Sequence, residues 1–365
     1  MTKVILISQK PLPYDKIESW PTLYKNYLNS NHKIDYIVCK EPNLKFEDID
    51  YRFVNNNFVE KVIIKLTKNP YYGYIKALDS IIKSNEKYII QIVDNYGIVK
   101  RLDSFLKKNK RRNQCYIQFF YHGFPPFLEN FHGRWFFEVI DEMILLTYES
   151  YLAHKDTYTV LPTRFTVLHN GIDTSKFHPI SLTTKEQLKK GKNILGKKIF
   201  IWCSQDRPKK GLHIILDAWK RVYEIRQDIV LWVIGCESKD SMEGVEFLGR
   251  IANDELPKFY QTSDCYLFPT LCHEGFGLSL IEALHCGNYC IASAIGGVSE
   301  VLQYGKLGKL IKFPHFVSEW ENAILEFLNN EKGIDISIPK DLYTTEKWNE
   351  GMDLIIDNAK KNISK

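Results

Sequence analysis

His273-Glu274-Gly275-Phe276-Gly277-Leu278-Ser279-Leu280-Ile281-Glu282-Ala283-Leu284 sets one carboxylate before a glycine-flanked turn and a second two helical turns further on. Leu278, Leu280, Ile281 and Leu284 have the spacing of a helix that starts just after the Gly275-Phe276-Gly277 turn. Glu282 then falls mid-helix among apolar neighbours, where an unpaired carboxylate is costly and a ligand's hydroxyl groups would serve as partners. Glu274 lies outside the helix, in the loop that approaches it. The glycines let a ligand come close to backbone amides at the helix start, a natural seat for phosphate. Two acids around an anion cradle point to a phosphorylated sugar. Two Glu at this spacing also occur on solvated helices, so the rest of the chain has to decide.

With 365 residues, 44% of them hydrophobic and 25% charged, the chain has the composition of a globular protein and the length for one large core or, ahead of that, two cores of about 150 to 200 residues each. It has no apolar run of about 18 residues, so no transmembrane helix is expected. Met1-Thr2-Lys3-Val4-Ile5-Leu6-Ile7-Ser8 breaks into polar residues too soon for a signal peptide, which implies a cytoplasmic address. The eight cysteines suggest no disulfide framework. Cys39, Cys203, Cys236, Cys265 and Cys290 sit in apolar strand-like runs, as small buried thiols do. Cys265, Cys272, Cys286 and Cys290 lack the short paired spacing of a zinc site, and no metal is expected. The net charge of +5 is uneven: residues 1–170 carry 24 Lys and Arg against 18 Asp and Glu. The densest cluster, Lys107-Lys108-Asn109-Lys110-Arg111-Arg112, reads as a solvated helix end or as a contact with anionic lipid head groups. No nucleic-acid motif accompanies it, so nucleic acid is excluded as a partner.

Strand-like and helix-like runs alternate. Val4–Ser8, Ile34–Cys39, Tyr88–Val93, Cys115–Tyr121 and Glu142–Thr147 read as strands of a first parallel sheet, with helices at Trp20–Asn29, Phe58–Lys68, Tyr74–Lys83 and Ile98–Lys108. Leu168-His169-Asn170-Gly171-Ile172-Asp173 then offers a strand end and an Asn-Gly turn, a domain boundary. The Lys-rich run from Ser181 to Lys198 is expected to be a hinge or surface connection. The alternation restarts with strands at Ile199–Cys203, Val230–Gly235, Val245–Leu248, Cys265–Pro269 and Tyr289–Ala294. Amphipathic helices close the chain at Phe316–Asn329 and Thr344–Lys361.

Glu274 and Glu282 with seven residues between them, Asn170-Gly171-Ile172-Asp173, the cations around Arg207 and Lys210, and Gly296-Gly297 together resemble the retaining GT-B glycosyltransferases of family 4, the glycosyl transferases group 1. The likeness is strong over 168–303 and one of layout before it. It implies an α/β GT-B fold: two Rossmann-like domains whose parallel sheets face each other across a cleft, with a C-terminal helix crossing back to the first domain. Residues 1–170, with about 345–365, would bind the acceptor; residues 171–344 would bind a nucleotide-sugar.

The resemblance also assigns roles. Arg207 and Lys210 would grip the donor's diphosphate, since fixed cations stabilise the charge of a leaving nucleoside diphosphate without a metal or other cofactor. The alternative is a pair of solvated cations at a helix start. The backbone near Ile251 would meet the base. Gly275, Phe276, Gly277, Leu278 and Ser279 would cradle phosphate, Glu282 would hold the ribose, and Glu274 would contact the donor sugar. Ser299-Glu300, after Gly296-Gly297, reads as a structural cap. In the first half, Phe119-Phe120-Tyr121-His122-Gly123-Phe124-Pro125-Pro126-Phe127 ends a strand at a crevice edge. His122 is the candidate beside the sugar, against the plainer reading of a packed histidine. Phe131, Trp135, Phe136 and Phe137 could stack on a sugar acceptor, dip into a membrane interface or fill a core.

Where the family often has a glycine pair after its first strand, this chain has Ser8-Gln9-Lys10-Pro11-Leu12-Pro13. No GxGxxG follows any strand, against a nicotinamide dehydrogenase. The expected activity is retaining, metal-independent transfer of a sugar, from UDP ahead of GDP, to a glycan or lipid-linked saccharide in surface-polysaccharide or lipopolysaccharide-type biosynthesis. Peripheral membrane contact would run through the basic first domain. The other readings are a sugar-nucleotide epimerase or phosphorylase on the same scaffold and a non-catalytic sugar-binding subunit.

Overall fold

Runs of β-branched and aromatic residues too short for helices form strands that lie parallel throughout. The structure, a computed structural model, describes residues 2–364 apart from 16–17, 55–56, 125, 127–133, 159–160, 162, 193, 238–240 and 331–337. The chain divides into two compact units, Met1–His169 with Thr345–Lys365, and Asn170–Thr344.

The first unit holds β1 (Thr2–Ile7), β2 (Tyr36–Cys39), β3 (Asp50–Phe53), β4 (Lys87–Val93), β5 (Cys115–Tyr121), β6 (Glu142–Leu145) and β7 (Arg164–Val167). They pair in the order β3-β2-β1-β4-β5-β6-β7, every neighbour parallel. The central strands are buried on both faces, which is why they read as unbroken apolar runs and not as alternation. One face carries the core of helices Tyr72–Ile81 and Tyr96–Lys108; the other is covered by helices Ser19–Leu28 and Thr345–Ser364. Trp348, Met352, Ile355, Ile356 and Ala359 of the last helix are buried there, with Trp348 edge-on to Tyr24 and Tyr27. Beneath that helix a polar row crosses the sheet: Gln91 donates to Gln118 at 3.0 Å, and Gln118 to Glu142 at 2.8 Å. The three residues stand opposite one another in register, so the row fixes the strands against slippage.

The second unit repeats the plan with β8 (Lys198–Cys203), β9 (Ile229–Ile234), β10 (Val245–Gly249), β11 (Cys265–Phe268), β12 (Tyr289–Ser293) and β13 (Lys309–Ile311), ordered β10-β9-β8-β11-β12-β13 and again parallel. In each sheet the winding reverses between the first strand and the fourth, at β1/β4 and β8/β11. That reversal opens a crevice beyond the carboxyl ends of the strands, where ligands of doubly wound sheets bind.

The Lys-rich run after Ser181 is not a hinge. Residues Leu182–Gly191 form a helix capped by the Ser181 hydroxyl, which accepts from Thr184 N at 3.1 Å. Two of its lysines reach inward to Asp264, Lys185 at 2.9 Å and Lys189 at 2.7 Å. The ion pairs turn a sequence of solvated appearance into a structural strut. All eight cysteines are free. Among the described residues no helix is long and apolar enough to cross a membrane.

Candidate functional site

The second sheet's switch point is assembled from two loops that the backbone forces together. After β8, Gly211 sits at φ +72°, and a Cβ there would lie 1.9 Å from the Pro269 carbonyl oxygen, just past β11. Only glycine permits that approach. Leu271 N donates to Lys209 O at 2.8 Å, and Trp202 Nε1 to Lys210 O at 3.3 Å. With its backbone held on both sides, Lys210 extends its ammonium to Glu274 Oε1, which also accepts from the Thr270 hydroxyl at 3.3 Å. Lys210 and Glu274 are each about four-fifths buried. Arg207 begins the short 3-10 turn Pro208–Lys210 and is exposed, without an ion pair among the described residues.

Glu274 is fixed from behind by Gly296-Gly297. Gly297 N donates to Glu274 O at 2.9 Å, and residues 274 and 296 form a parallel bridge. Gly296 is at φ +69°, and a Cβ on it would come within 2.5 Å of that same oxygen. The glycine pair does more than precede helix Val298–Val301: it holds the backbone that carries the carboxylate.

Helix Leu278–His285 starts on Gly277, at φ +88°, with no side chain to cap it, so first-turn N–H groups stay open to an anion. Phe276 is buried edge-on to Tyr343 at 5.1 Å and anchors the turn. The Ser279 hydroxyl accepts from Tyr266 at 2.8 Å, and Leu278 is half-buried beside it. The half-buried Glu282 carboxylate, on the next turn, makes no hydrogen bond or ion pair among the described residues. Burial pushes its carboxyl up to about 7. Ile251 is half-buried just past Gly249, where β10 ends. A cavity of about 600 Å³ lined by His178, His285, Tyr289 and Pro339 opens at the other edge of this sheet, without Arg207, Lys210, Glu274 or Glu282.

In the first unit, His122 follows β5 and Asp94 follows β4. Asp94 takes His122 N at 2.8 Å on one oxygen and His122 Nδ1 at 3.1 Å on the other. Trp20 stacks on the imidazole, 6.3 Å between centroids. With Nδ1–H donating to the carboxylate, Nε2 is the nitrogen left to accept. Asn95, next in sequence, is buried with neither amide atom partnered. Sequence reasoning missed Asp94 as the partner of His122, although its place directly after an apolar strand was a signal. Phe136 and Phe137 are core, and Trp135 packs on Tyr96; Pro125, Phe127 and Phe131 lie outside the described residues. The basic cluster is largely neutralised: Lys107 pairs with Asp103 at 2.8 Å, Arg111 with Asp79 at 2.9 Å and Arg112 with Asp141 at 3.0 Å. Among the described residues no three His, Cys, Asp or Glu side chains gather as metal ligands.

Two Rossmann-ordered sheets, the second with a largely buried cation–carboxylate pair and a bare helix start at its switch point, define a doubly wound α/β protein. Residues 184–340 match the model of the glycosyl transferases group 1. The phosphatidyl-myo-inositol mannosyltransferase of Mycobacterium leprae is 29% identical over 150 residues, 39% of this chain and 38% of that protein. A glycosyltransferase of Methanocaldococcus jannaschii is 24% identical over half of each chain. The matched region thus spans half or less of these curated relatives. Among solved structures, Anabaena HepE in complex with UDP aligns over 98% of this chain and 100% of its own, with a TM-score of 0.74 and 15% identity. A glycosyltransferase of Rickettsia africae aligns over 99% and 97%, with a TM-score of 0.69 and 15% identity. The fold is accordingly GT-B.

Proposed function

We propose that this protein transfers a sugar from a nucleotide donor, UDP ahead of GDP, to a hydroxyl of a glycan or lipid-linked saccharide, with retention of anomeric configuration and without a metal. The observation that carries this reading is the Lys210–Glu274 pair held beside an uncapped helix start, with the Glu282 carboxylate half-buried and unpartnered among the described residues on the same helix. Glu282 would accept hydrogen bonds from the ribose hydroxyls. The amides from Gly275 to Ser279, with Lys210 and Arg207, would stabilise the departing diphosphate as its charge grows. The Ile251 backbone would face the base. Glu274 would contact the donor sugar, and its pairing with Lys210 would orient both before the donor arrives. A diphosphate needs little acid assistance to leave, so attack on the face it departs from requires no glycosyl-enzyme.

The first unit is assigned the acceptor, and His122, oriented by Asp94, the sugar contact. Solved relatives that hold UDP and UDP-glucose support a uridine donor. Relatives named phosphatidyl-myo-inositol mannosyltransferase support an acceptor carried on lipid, and with it work at the inner face of a membrane in surface-glycan assembly.

The test is a thermal-shift panel of UDP, GDP, ADP, CMP and their sugar conjugates, followed by nucleoside diphosphate release in the presence of lipid-linked saccharides. One nucleotide should raise the midpoint, and Lys210→Ala should slow release by about 10²- to 10³-fold. Near-wild-type release by that variant would sink the assignment. Binding without release at any acceptor would favour a sugar-binding subunit.

A further inference from the structure

Helix Phe58–Thr67 carries large apolar residues on its outside. Phe58, Val62 and Leu66 are 81%, 41% and 78% exposed, and their four-residue spacing draws them into one stripe. Lys61, Lys65 and Lys68 are exposed beside it. The one acid of the helix, Glu60, is buried and paired with Lys76 at 2.9 Å. The helix is well begun, because the Asn57 side chain accepts from Glu60 N at 2.8 Å. Its exposed stripe is therefore a formed face.

Topology says where this helix lies. β3 is parallel to its neighbours, so the chain leaves Phe53 at the carboxyl edge of the first sheet and enters the helix from there. Beyond the helix, the Tyr71 ring covers Gly97, in the first turn after β4, and the Tyr74 hydroxyl donates to Ser8 O at 3.3 Å, one residue past β1. Both ends of helix Phe58–Thr67 thus meet the carboxyl edge, the edge that bears Asp94 and His122.

Apolar side chains in a row, flanked by ammonium groups and free of exposed acid, complement an anionic bilayer surface. The rings and methyls enter the acyl boundary while the lysines reach lipid phosphates. We propose that helix Phe58–Thr67 docks in the plane of an anionic lipid surface and turns the carboxyl edge of the first sheet toward it. Docking stands on the helix itself; only what the edge would receive there, a lipid-borne acceptor, rests on the proposed function. The Lys107–Arg112 cluster is a poor substitute, since aspartates already hold three of its cations.

The experiment is co-sedimentation of the full chain with vesicles of phosphatidylcholine alone or mixed with phosphatidylglycerol. Wild type should bind the phosphatidylglycerol vesicles, more weakly as salt rises. Phe58→Ser with Leu66→Ser should lower that affinity about tenfold or more, and Lys61→Glu with Lys65→Glu should abolish the lipid preference. All four positions are exposed, so each variant should keep its thermal midpoint and its response to UDP. Phe58→Trp should shift its emission to the blue on binding vesicles. Failure of wild type to sediment, or equal sedimentation of the Phe58/Leu66 variant, would overturn the proposal and leave the stripe to a protein partner. Vesicle binding without any nucleotide response would keep the docking helix and remove the transferase reading.

Discussion

Replacing Glu282 by Gln should make the protein more stable and worse at binding its nucleotide. Burial raises the Glu282 carboxyl from 4.5 to about 7, with no cation or donor to offset it. Between those two pH values the folded state holds a proton that the unfolded chain has released, so stability falls as pH rises through the window. Above pH 7 the full cost applies, about 3 kcal/mol at 1.36 kcal/mol for each unit of pKa. Glutamine keeps the shape and has no charge to bury. At pH 8 the variant's second unit should therefore melt higher by roughly 6 to 12 °C, at 2–4 °C per kcal/mol for a unit of this size. At pH 4.5 the two proteins should melt together. The assay is thermal unfolding from pH 4.5 to 8, with and without the nucleotide that stabilises wild type best. In its presence the order should narrow or reverse, because the amide is a weaker acceptor for ribose hydroxyls than a carboxylate. A variant less stable than wild type at pH 8 would refute the reasoning, since it would mean that the fold itself satisfies the carboxylate.

Gly296→Ala forces a side chain onto φ +69° and to within 2.5 Å of Glu274 O. It should cost about 1–3 kcal/mol of stability but about 100-fold in turnover, because Glu274 is displaced; steady-state kinetics beside the melting curve would separate the two. Asp264→Asn leaves Lys185 and Lys189 without their partner at a buried site. The loss should be about 3–5 kcal/mol at pH 7 by denaturant unfolding. The Asp264 carboxyl is held below its ordinary value by the two lysines against its own burial. Its contribution is therefore present above pH 4 and fades as pH falls through the depressed value, so wild type and variant should converge in acid.

The sequence made the central strands legible because they are buried on both sides and so unbroken: β1, β4, β5, β8, β9 and β11 all read directly. The edges did not. Asp50–Phe53 is half-exposed and carries Asp and Arg, and Lys309–Ile311 is only three residues long, so neither has a pattern to detect. Helix Leu182–Gly191 was hidden by its lysines, whose partner Asp264 lies more than seventy residues away. Its Ser181 cap was the visible clue. The site divides in the same way. Glu274, the glycine turn and Glu282 are local and readable in one stretch. The Lys210–Glu274 and His122–Asp94 pairs exist only because parallel strands bring their carboxyl ends together, and no short-range spacing encodes that.

The return of the chain to its first unit bears on how the protein is made. Residues Asn170–Thr344 are contiguous and can fold as they leave the ribosome. The first unit, synthesised earlier, lacks Trp348, Met352, Ile355 and Ile356 until the last helix emerges, and the face they cover includes Tyr24, Tyr27 and the Gln91–Gln118–Glu142 row. The half begun first is thus the half finished last. A nascent chain halted with Thr344 just emerged would carry a folded second half and an open, aggregation-prone first one.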